Sequence, residues 1–336
     1  MKRIAIIGAG IAGLTLAYQL QHKAEITLFE KSRGVSGRLA TRRLGEFEFD
    51  HGAQFFTARS NAFKQFIAPF IKQGIIAPWQ PRVLTLAPGK KPYRRDWFEP
   101  HYVAVPRMNS LAKALAGELD IELQTPISSL SAVSEGQWQL RTPDAEWPET
   151  FDWVISTAPV IQSIALLGEH LSAGILADDK ALQDVQMSPC FTMMLGFDQT
   201  MKLPFQAAKA NNTSIEWIMV NSSKPGRDGL FTLVIQSSNT WASEYEEADQ
   251  DWIRQTMLAD LEKLLDMPLP PVTVESLHRW RYSRVEQALE QDCVLDWQKG
   301  LAACGDWCLG GRIEGAFLSA NSLARQLAYS LRKNPV

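Results

Sequence analysis

The sequence predicts an α/β protein in which a domain built on a parallel sheet is interrupted by a second, mostly antiparallel α+β domain. Three observations support this fold class. A strand, a glycine turn, a helix and another strand follow one another over residues 4–30, and a second strand, glycine-rich loop and helix occupy residues 301–331. Between them, residues 161–275 contain several strand-like runs in succession. A length of 336 residues suits about two such domains.

The stretch over residues 4–30 has the spacing of a Rossmann-type dinucleotide site. Gly8 permits the tight turn, Gly10 lets the backbone approach a pyrophosphate, and Gly13 lets the helix pack closely on the strand. Phosphates then lie at the helix N-terminus, where free N–H groups favour negative charge. Glu30 follows Gly10 by 20 residues, the spacing of a carboxylate that binds ribose hydroxyls. The alternative is a small-residue turn that binds no ligand.

Composition and charge limit the partners. Hydrophobic residues make up 46% and charged residues 21% of the chain, as in globular proteins with a large core. The net charge of -3 gives no reason to expect a nucleic acid or an anionic membrane as partner. The uncharged run over residues 4–18 is short for a membrane span and contains glycines at turn spacing, and no cleavage site follows it. We therefore interpret it as part of the domain.

Cysteine and histidine spacing predicts no metal site. Two of the four cysteines form a C-x3-C pair, which lacks a second pair or a nearby His-x-His, and the five histidines are scattered. We interpret the C-x3-C pair as buried small residues and expect the protein in the reducing cytoplasm, since the four cysteines suggest no disulfide framework. They are Cys190, Cys293, Cys304 and Cys308.

The elements before residue 160 are predicted from short patterns. The polar loop after Glu30 contains Arg33 and Arg38, which are candidates to neutralise phosphate charge, unless this is an ordinary solvated loop. Periodicity predicts a strand at 46–50 and a helix at 60–73. Further strands are predicted at 102–106, 121–123, 138–141 and 153–157, the last of them leading into a turn at the ligand-binding edge of the sheet.

Residues 161–275 are predicted to form the second domain. A helical stretch over 161–183 precedes three strand-like runs and a helix whose first turns are acidic, which favours the helix dipole. The irregular, basic region over 79–97 is interpreted as a solvated loop rather than a site for a phosphorylated substrate. The strand-like runs are at 191–197, 215–220 and 231–236.

The C-terminal stretch predicts a second nucleotide-type turn. A strand ends at Asp306, a glycine-rich loop follows, and a helix starts near Gly315 and Ala316. Asp306 would bind polyol hydroxyls, and the helix N-terminus would face an electron-accepting ring. A flavin suits this arrangement because it becomes anionic on reduction, whereas nicotinamide becomes cationic on oxidation. The alternative is that Asp306 is a capping or turn residue.

These motifs and two further segments resemble the bacterial renalases, which are flavoproteins within the larger amine-oxidase-like group. The resemblance spans nearly the whole chain. Its specific signals are the Gly-Ala-Gln-Phe-Phe-Thr-Ala-Arg stretch and the C-terminal block. The segments are residues 8–13 with 30–34, 50–59, 278–282 and 304–316.

The resemblance implies a Rossmann-type FAD domain of the p-hydroxybenzoate hydroxylase and amine oxidase type, with FAD held tightly but non-covalently. No cysteine lies within residues 310–317, where monoamine oxidases attach their flavin, which agrees with non-covalent binding. The implied domains are a discontinuous FAD-binding domain over residues 1–75, 103–160 and 276–336, and a substrate domain over residues 76–102 and 161–275.

The two turns and the resemblance together give the predicted site. The expected FAD contacts are Gly8, Gly10, Ile11, Ala12, Gly13, Glu30, Lys31, Gly37, Arg38, Gln54, Phe55, Ile127, Asp306, Ile313, Gly315 and Ala316. The resemblance places on the substrate side Phe56, Thr57, Ala58, Arg59 and Arg312, with Trp280 and Tyr282 as further candidates. Three alternatives stay open: the paired phenylalanines are plain core, Trp280 alone faces the pocket, or Tyr282 alone does.

The sequence departs from the family pattern at two places. Ser36 occupies the position of the first of two glycines in amine-oxidase relatives. Ser283, Arg284 and Val285 follow Tyr282 where renalases tend to have Ala-Arg-Pro. The second departure concerns the substrate pocket rather than the flavin site.

The resemblance implies an oxidase of the isomeric 2- and 6-dihydro forms of NAD(P), which returns NAD(P)⁺ and passes electrons to O2 as H2O2. A dihydronicotinamide gives up hydride directly, so no general acid or base is expected; the protein stacks the donor ring on the flavin. Alternatives are a primary-amine oxidase, a non-catalytic flavin-binding redox sensor and a pyridine-nucleotide dehydrogenase without flavin. The expected partners are small molecules, without nucleic acid or membrane.

Overall fold

The structure is a computed structural model that describes residues 1–134, 136–172, 174–175 and 182–333. Part of the predicted helical stretch at 161–183, namely residues 173 and 176–181, lies outside the described residues. The helices of the described part are α1 (Ile11–Leu20), α2 (Asn61–Lys72), α3 (Ser110–Ala116), α4 (Val160–Leu167), α5 (Asn239–Glu244), α6 (Gln250–Leu265) and α7 (Arg312–Lys333).

The described strands form two large and three small sheets. In chain order they are β1 (Arg3–Ile7), β2 (Glu25–Glu30), β3 (Thr41–Leu44), β4 (Phe47–Asp50), β5 (Phe56–Thr57), β6 (Ile76–Pro78), β7 (Val83–Leu86), β8 (Tyr93–Arg94), β9 (His101–Ala104), β10 (Ile121–Leu123), β11 (Ser129–Ser134), β12 (Gln137–Arg141), β13 (Glu146–Phe151), β14 (Trp153–Ser156), β15 (Gln186–Phe197), β16 (Ala207–Ala210), β17 (Ile215–Val220), β18 (Phe231–Ser237), β19 (Val274–Gln287), β20 (Val294–Asp296) and β21 (Leu301–Ala303).

The first large sheet has the strand order β10-β2-β1-β14-β21-β20, and its strands are parallel apart from β20. The register aligns Ile7 with Phe29 and Ser156, and Ser156 with Ala303. The strands therefore end at one edge, where open α/β sheets bind ligands. β2 and β21 are three strand spacings apart, roughly 14 Å. Residues that follow these two strands lie at a separation that an extended dinucleotide can bridge.

The N-terminal and C-terminal helices meet on this sheet. α1 packs against α7, and Leu14 and Leu323 lie in the same hydrophobic core. A hydrogen bond of 3.1 Å joins Gln19 Nε2 to Asn321 Oδ1 across the two helices. The two nucleotide-type turns predicted from the sequence therefore belong to one domain.

The second large sheet has the strand order β19-β15-β18-β17-β16-β7-β8. It contains the predicted strand runs as parts of β15, β17 and β18, and its neighbours are antiparallel except for β16 and β7. One face packs on α5 and α6, while the other reaches the core of the first domain through Met194, Met219 and Val234. The predicted α/β class with an antiparallel second sheet is confirmed.

Two elements differ from the sequence prediction. The strand β19 is an edge strand of the antiparallel sheet, whereas the division above assigns residues 276–336 to the FAD-binding domain. The acidic segment forms two helices instead of one, because the Asp249 side chain accepts hydrogen bonds from Asp251 N and Trp252 N and so begins α6. Residues 244–247 therefore precede α6.

The helices of the described part have no membrane-spanning candidate, since none is both long and apolar enough to cross a bilayer.

Candidate functional site

The glycine turn after β1 encloses an open space at the N-terminus of α1. An ideal Cβ on Gly13 would lie 2.0 Å from Gly8 O, and one on Gly8 would lie 2.8 Å from Thr157 Oγ1. A Cβ on Gly10 would meet no heavy atom within 4 Å. Gly8 and Gly13 are therefore required by packing. Gly10 borders the open space at the N-terminus of α1, which we call the cradle. A pyrophosphate fits there, beside the N–H groups of the helix N-terminus.

Glu30 lies at the end of β2, buried beside this turn. Its carboxylate accepts hydrogen bonds from Ala9 N at 2.9 Å and from Ser32 N at 2.8 Å. Two oxygens of a carboxylate offer about four acceptor sites, so Glu30 can still bind ribose hydroxyls. Thr125 N donates to Glu30 O at 2.9 Å, which brings the segment that leads to the half-buried Ile127 to this corner. Lys31 is exposed at the same corner.

The loop over residues 36–38 packs against the glycine turn at Ala9 and Gly10. Ser36 N donates to Ala9 O at 2.9 Å, and a Cβ on Gly37 would lie 3.3 Å from Gly10 Cα. Ser36 has φ = 126°, a conformation that L side chains rarely adopt. This explains why a glycine occupies this position in the family pattern, and it means that Ser36 is strained.

Arg38 joins the N-terminal motif to the C-terminal motif. Its guanidinium donates to both carboxylate oxygens of Asp306, at 2.6 and 2.8 Å. It also donates to the backbone oxygens of Tyr282 and Ser283. Asp306 is 5% exposed. Of the two candidate arginines, Arg38 thus lies in the site, while Arg33 is exposed. Asp306 forms an ion pair, which the sequence prediction of a polyol ligand did not include.

The glycine-rich loop after Asp306 is held in an unusual backbone conformation. Gly310, Gly311 and Arg312 have φ = 91°, 82° and 68°, and Gly311 N donates to Asp306 O at 2.8 Å. α7 begins at Arg312, three residues earlier than predicted, because this loop turns directly into the helix. Ile313 is half-buried, and Arg312 is exposed. Gly315 and Ala316 are buried in the first turn of α7, where a Cβ on Gly315 would lie 3.8 Å from Asp306 O.

Glu314, which the sequence analysis missed, fixes the substrate-side segment to α7. Its carboxylate accepts hydrogen bonds from Ser60 N at 2.6 Å and from Arg59 N at 3.0 Å. Burial disfavours the charge, but these hydrogen bonds outweigh it and lower the pKa of Glu314. The Arg59 guanidinium itself pairs with Glu99 at 2.5 Å. Thr57 and Ala58, just before Arg59, are half-buried.

Phe55 lies in an aromatic cluster, defined here as Phe55, Trp79, Trp97, His101 and Trp217. The ring of Phe55 is centred 4.8 Å from the rings of Trp97 and His101 and 6.0 Å from that of Trp217. Trp97 and His101 stack with centroids 3.6 Å apart. The sequence analysis identified Phe55 alone; Trp79 and Trp97 come from the region interpreted as a loop, His101 from β9 and Trp217 from β17.

Phe56 lies on the opposite side from Phe55. It is 5% exposed, packs against Phe63 and Tyr102, and belongs to the core. Paired phenylalanines of an extended segment point to opposite faces. Phe55 thus belongs to the aromatic cluster and Phe56 to the interior.

Trp280 lies beneath the loop at residues 51–55. Its Nε1 donates to His51 O at 2.8 Å, and its ring is centred 5.1 Å from the His51 ring. The β15–β19 register shifts between Ser188 and Cys190, so β19 bulges after Trp280. Tyr282 lies in this bulge and contributes its backbone oxygen to Arg38.

Gln54 is buried and held by its own loop and by the second domain. Its Nε2 donates to Gly52 O at 3.0 Å, and its Oε1 accepts from Lys224 Nζ at 3.0 Å. A Cβ on Gly52 would lie 2.0 Å from Arg38 O, which shows how closely this loop packs on Arg38. The structure therefore packs the loop that carries Gln54 and Phe55 against the backbone of Arg38. Lys224 had no signal in the sequence beyond its place in a turn.

The described residues contain no group of three or more His, Cys, Asp or Glu that could hold a metal ion. All four cysteines are free thiols. Burial raises the pKa of Cys304 well above its usual value and that of Cys308 to about 12, so these two thiols are inert.

Comparisons with known proteins place both parts of the chain in known families. A family model for the NAD(P)-binding Rossmann-like domain matches residues 6–70, and the model for flavin containing amine oxidoreductases matches residues 87–328. A 1-hydroxycarotenoid 3,4-desaturase from Flavobacterium sp. (strain P99-3) is 43% identical over 58 residues, which span 17% of this chain and 12% of that relative.

Solved structures share the fold over the whole chain. A protein from Exiguobacterium sp. 255-15 assigned as a protoporphyrinogen oxidase has a TM-score of 0.80 at 15% identity, covering 98% of this chain and 99% of its own. An oxidoreductase from Methanosarcina mazei has a TM-score of 0.72 at 14% identity, covering 96% and 100%. A redesigned putrescine oxidase has a TM-score of 0.72 at 11% identity, covering 98% and 99%.

The family implies a flavin cofactor, and the residues present fit one. Gly10 borders an open space, and the Glu30 carboxylate can accept further hydrogen bonds. The Arg38–Asp306 ion pair lies at the same edge of the sheet. Since the amine oxidoreductase model covers most of the residues that follow the dinucleotide turn, the chain belongs to the flavin containing amine oxidoreductase family.

Proposed function

We propose that the protein is an FAD-dependent oxidase that takes hydride from the 2- and 6-dihydro isomers of NAD(P) and passes the electrons to O2 as H2O2. The observation that carries the proposal is the Arg38–Asp306 pair, which joins the turn that binds a dinucleotide to the loop that precedes α7. A site with a phosphate cradle at one end and a charged, buried pair at the other suits one long cofactor.

Each part of the proposed FAD site has its own role. The cradle at Gly10 holds the pyrophosphate, Glu30 binds the ribose, and the Arg38–Asp306 pair binds the polyol and the adjacent phosphate. The loop with Gln54 and the N-terminus of α7 would hold the ring. Bound FAD supplies the hydride acceptor.

The substrate side needs residues that orient a flat donor ring. The aromatic cluster offers such surfaces, and Phe55 connects it directly to the ring-binding loop. Arg59 and Arg312 are exposed and stay candidates to bind a carboxamide or a phosphate, although Arg59 would have to exchange its present partner Glu99. The donor loses one hydride and becomes the aromatic NAD(P)⁺, so that no proton has to be removed. We therefore assign no catalytic acid or base to this reaction.

Non-covalent binding of FAD is supported by the thiols. Cys304 and Cys308 are fully buried and have raised pKa values, and the loop over residues 310–317 contains no cysteine. A thioether to the flavin would need an accessible thiolate.

A second candidate, a primary-amine oxidase, is favoured by one observation. The aromatic cluster presents the ring faces that bind ammonium groups in cation–π cages. Glu99, whose backbone oxygen accepts a hydrogen bond from His101 Nδ1 of the cluster, is already paired with Arg59 and so is less suited to hold a substrate cation.

Anaerobic mixing experiments test the proposal. The yellow protein is mixed with 6-dihydro-NAD, with ordinary NADH and with a primary amine, and bleaching of the flavin band is followed. We expect bleaching within seconds by the 6-dihydro isomer. Bleaching by the amine alone would establish the second candidate, and a flavin that every donor leaves oxidised would indicate a redox sensor.

The aromatic cluster provides a matched pair of variants. Trp97→Ala removes a ring that stacks in the cluster, and Trp252→Ala removes a 43% exposed ring on α6. The loss of one stacking surface weakens binding by about fivefold. We therefore expect Trp97→Ala to need about fivefold more donor for the same bleaching rate, with Trp252→Ala unchanged.

A further inference from the structure

A buried ionic cluster lies directly under the loop that carries Gln54. Lys224 and Arg227, on the segment after β17, both bind Asp50 at the end of β4. The nearest distances to Asp50 Oδ2 are 2.7 Å from Arg227 Nη2 and 3.4 Å from Lys224 Nζ. The Lys224 side chain is 0% exposed, and Nζ also donates to Asn221 Oδ1 at 3.1 Å. We refer to these four residues as the Lys224 cluster.

The cluster carries one positive charge in excess. Burial alone would raise the pKa of Asp50, but the cations Lys224 and Arg227 outweigh burial and lower it, so that Asp50 is ionised. Two cations then share one carboxylate. The next carboxylate on β4, Glu48, is matched by Arg107 at 2.5 Å and does not offset this charge.

The cluster is hydrogen-bonded to the loop over residues 52–55, which is part of the proposed flavin site. Lys224 Nζ donates to Gln54 Oε1 at 3.0 Å, and Gln54 Nε2 donates back to the loop at Gly52 O. Gln236 Nε2 binds the same Gly52 oxygen at 2.9 Å, while Ala53 N donates to Arg38 O at 2.8 Å. The loop is thus held between the second domain on one side and the backbone of Arg38 on the other.

We propose that Lys224 is a positioning residue of the flavin site: it fixes the Gln54 amide, and its buried positive charge stabilises the flavin ring in its reduced, anionic form. The inference rests on the proposed FAD site, because it requires a flavin against the loop at residues 52–55. Hydride addition to an uncharged flavin gives a ring with one negative charge, and an uncompensated cation in a dry site favours that charge.

Two variants remove the excess charge in different ways. Lys224→Met keeps an unbranched side chain of similar length without the ammonium. Asn221→Asp keeps the volume and places a carboxylate beside Nζ. Lys263→Met is the control, since Lys263 is an exposed residue of α6 that pairs with Asp260. All are studied as FAD-bound proteins, with sulfite affinity and the midpoint potential of the flavin as readouts.

Sulfite adds to the flavin ring and leaves it negatively charged, so its affinity reports the local potential without any turnover. We expect both cluster variants to bind sulfite on the order of tenfold more weakly than the wild type, as for one unit charge about 10 Å away at an effective dielectric constant of about 20. The midpoint potential falls in both, and the control changes neither.

The pH dependence of sulfite affinity gives a third readout. Burial lowers the pKa of Lys224 to about 8. The charged groups that face it are Asp50 and Arg227, with Glu48 and Arg107 behind them, and the two cations of the cluster hold the pKa of Asp50 below its usual value. The charge of Lys224 is therefore present below pH 8 and lost above it. We expect the difference in sulfite affinity between wild type and Lys224→Met to shrink above pH 8.

Unchanged sulfite affinity and potential in Asn221→Asp with bound FAD would overturn the inference, even where Lys224→Met does not fold, and would leave the proposed function intact. A protein that binds no FAD would overturn both.

Discussion

The cradle at Gly10 leads to a prediction that one substitution weakens FAD binding without changing the stability of the FAD-free protein. In Gly10→Ala the new methyl group meets no heavy atom of the protein within 4 Å, and Gly10 has φ = -77°, which alanine adopts without strain. The substitution loses some capping preference at the start of α1 but restricts the unfolded chain, and these effects nearly cancel. We expect the free energy of unfolding of the FAD-free protein to change by less than about 0.5 kcal/mol.

FAD binding responds differently, because the methyl group occupies the space of the pyrophosphate. Inserting a methyl group into a filled site costs about 1–3 kcal/mol. This corresponds to a loss of FAD affinity of about 5- to 150-fold. The measurement is a titration of the FAD-free protein with FAD, followed by quenching of flavin fluorescence, beside urea unfolding without FAD.

Gly13→Ala is the contrasting variant, and Gly229→Ala is the control. A Cβ on Gly13 would lie 2.0 Å from Gly8 O, so this variant must shift the backbone and is destabilised without FAD. Gly229 is exposed and equally unhindered, but lies in the second domain, so Gly229→Ala alters neither property. Wild-type FAD affinity in Gly10→Ala, or unfolding of that variant without FAD, would refute the assignment of the cradle.

Three further predictions concern strain, pH and the ion pair. Ser36→Gly relieves a residue with φ = 126°, and we expect unfolding free energy to rise by about 1 kcal/mol in urea titrations; a decrease would show that Ser36 is unstrained. Burial, then the neighbouring His278 and Arg42, lower the pKa of His51 from 6.5 to about 4. Between these two pH values the unfolded chain binds a proton at His51 and the folded chain does not. The free energy of unfolding should therefore fall by up to about 3 kcal/mol as the pH drops from 6.5 to 4. His51→Gln should reduce this pH dependence in urea titrations at several pH values. A double-mutant cycle of Arg38→Met and Asp306→Asn should give a coupling energy of about 1–2 kcal/mol, since Arg38 is partly exposed; additive effects would show that the pair contributes nothing.

The sequence predicted those parts of the site that depend on local spacing. The glycine turn and Glu30 lie within one strand–helix–strand unit, so their geometry follows from residues close in the chain. Asp306 was identified in the same way, from its strand end and loop. Its bond to Arg38 was not predicted, because 268 residues separate the two and their contact depends on how α7 packs on α1.

The aromatic cluster and the Lys224 cluster could not be predicted for the same reason. Trp217 reaches Phe55 from β17 of the antiparallel sheet, and Trp97 reaches it from the segment between β8 and β9, whose sequence looks like an exposed loop. Lys224 is a residue type that is almost always exposed, and its burial follows from the partner Asp50, which lies 174 residues away. Sequence periodicity contains no information on such pairs.

The most direct test of the account is the visible absorption spectrum of the purified protein, before and after denaturation. We expect the bands of an oxidised flavin with about one flavin per chain, released into the supernatant as FAD when the protein is precipitated with acid. A colourless protein that takes up no added FAD would contradict the central claim that both ends of the chain bind one flavin cofactor.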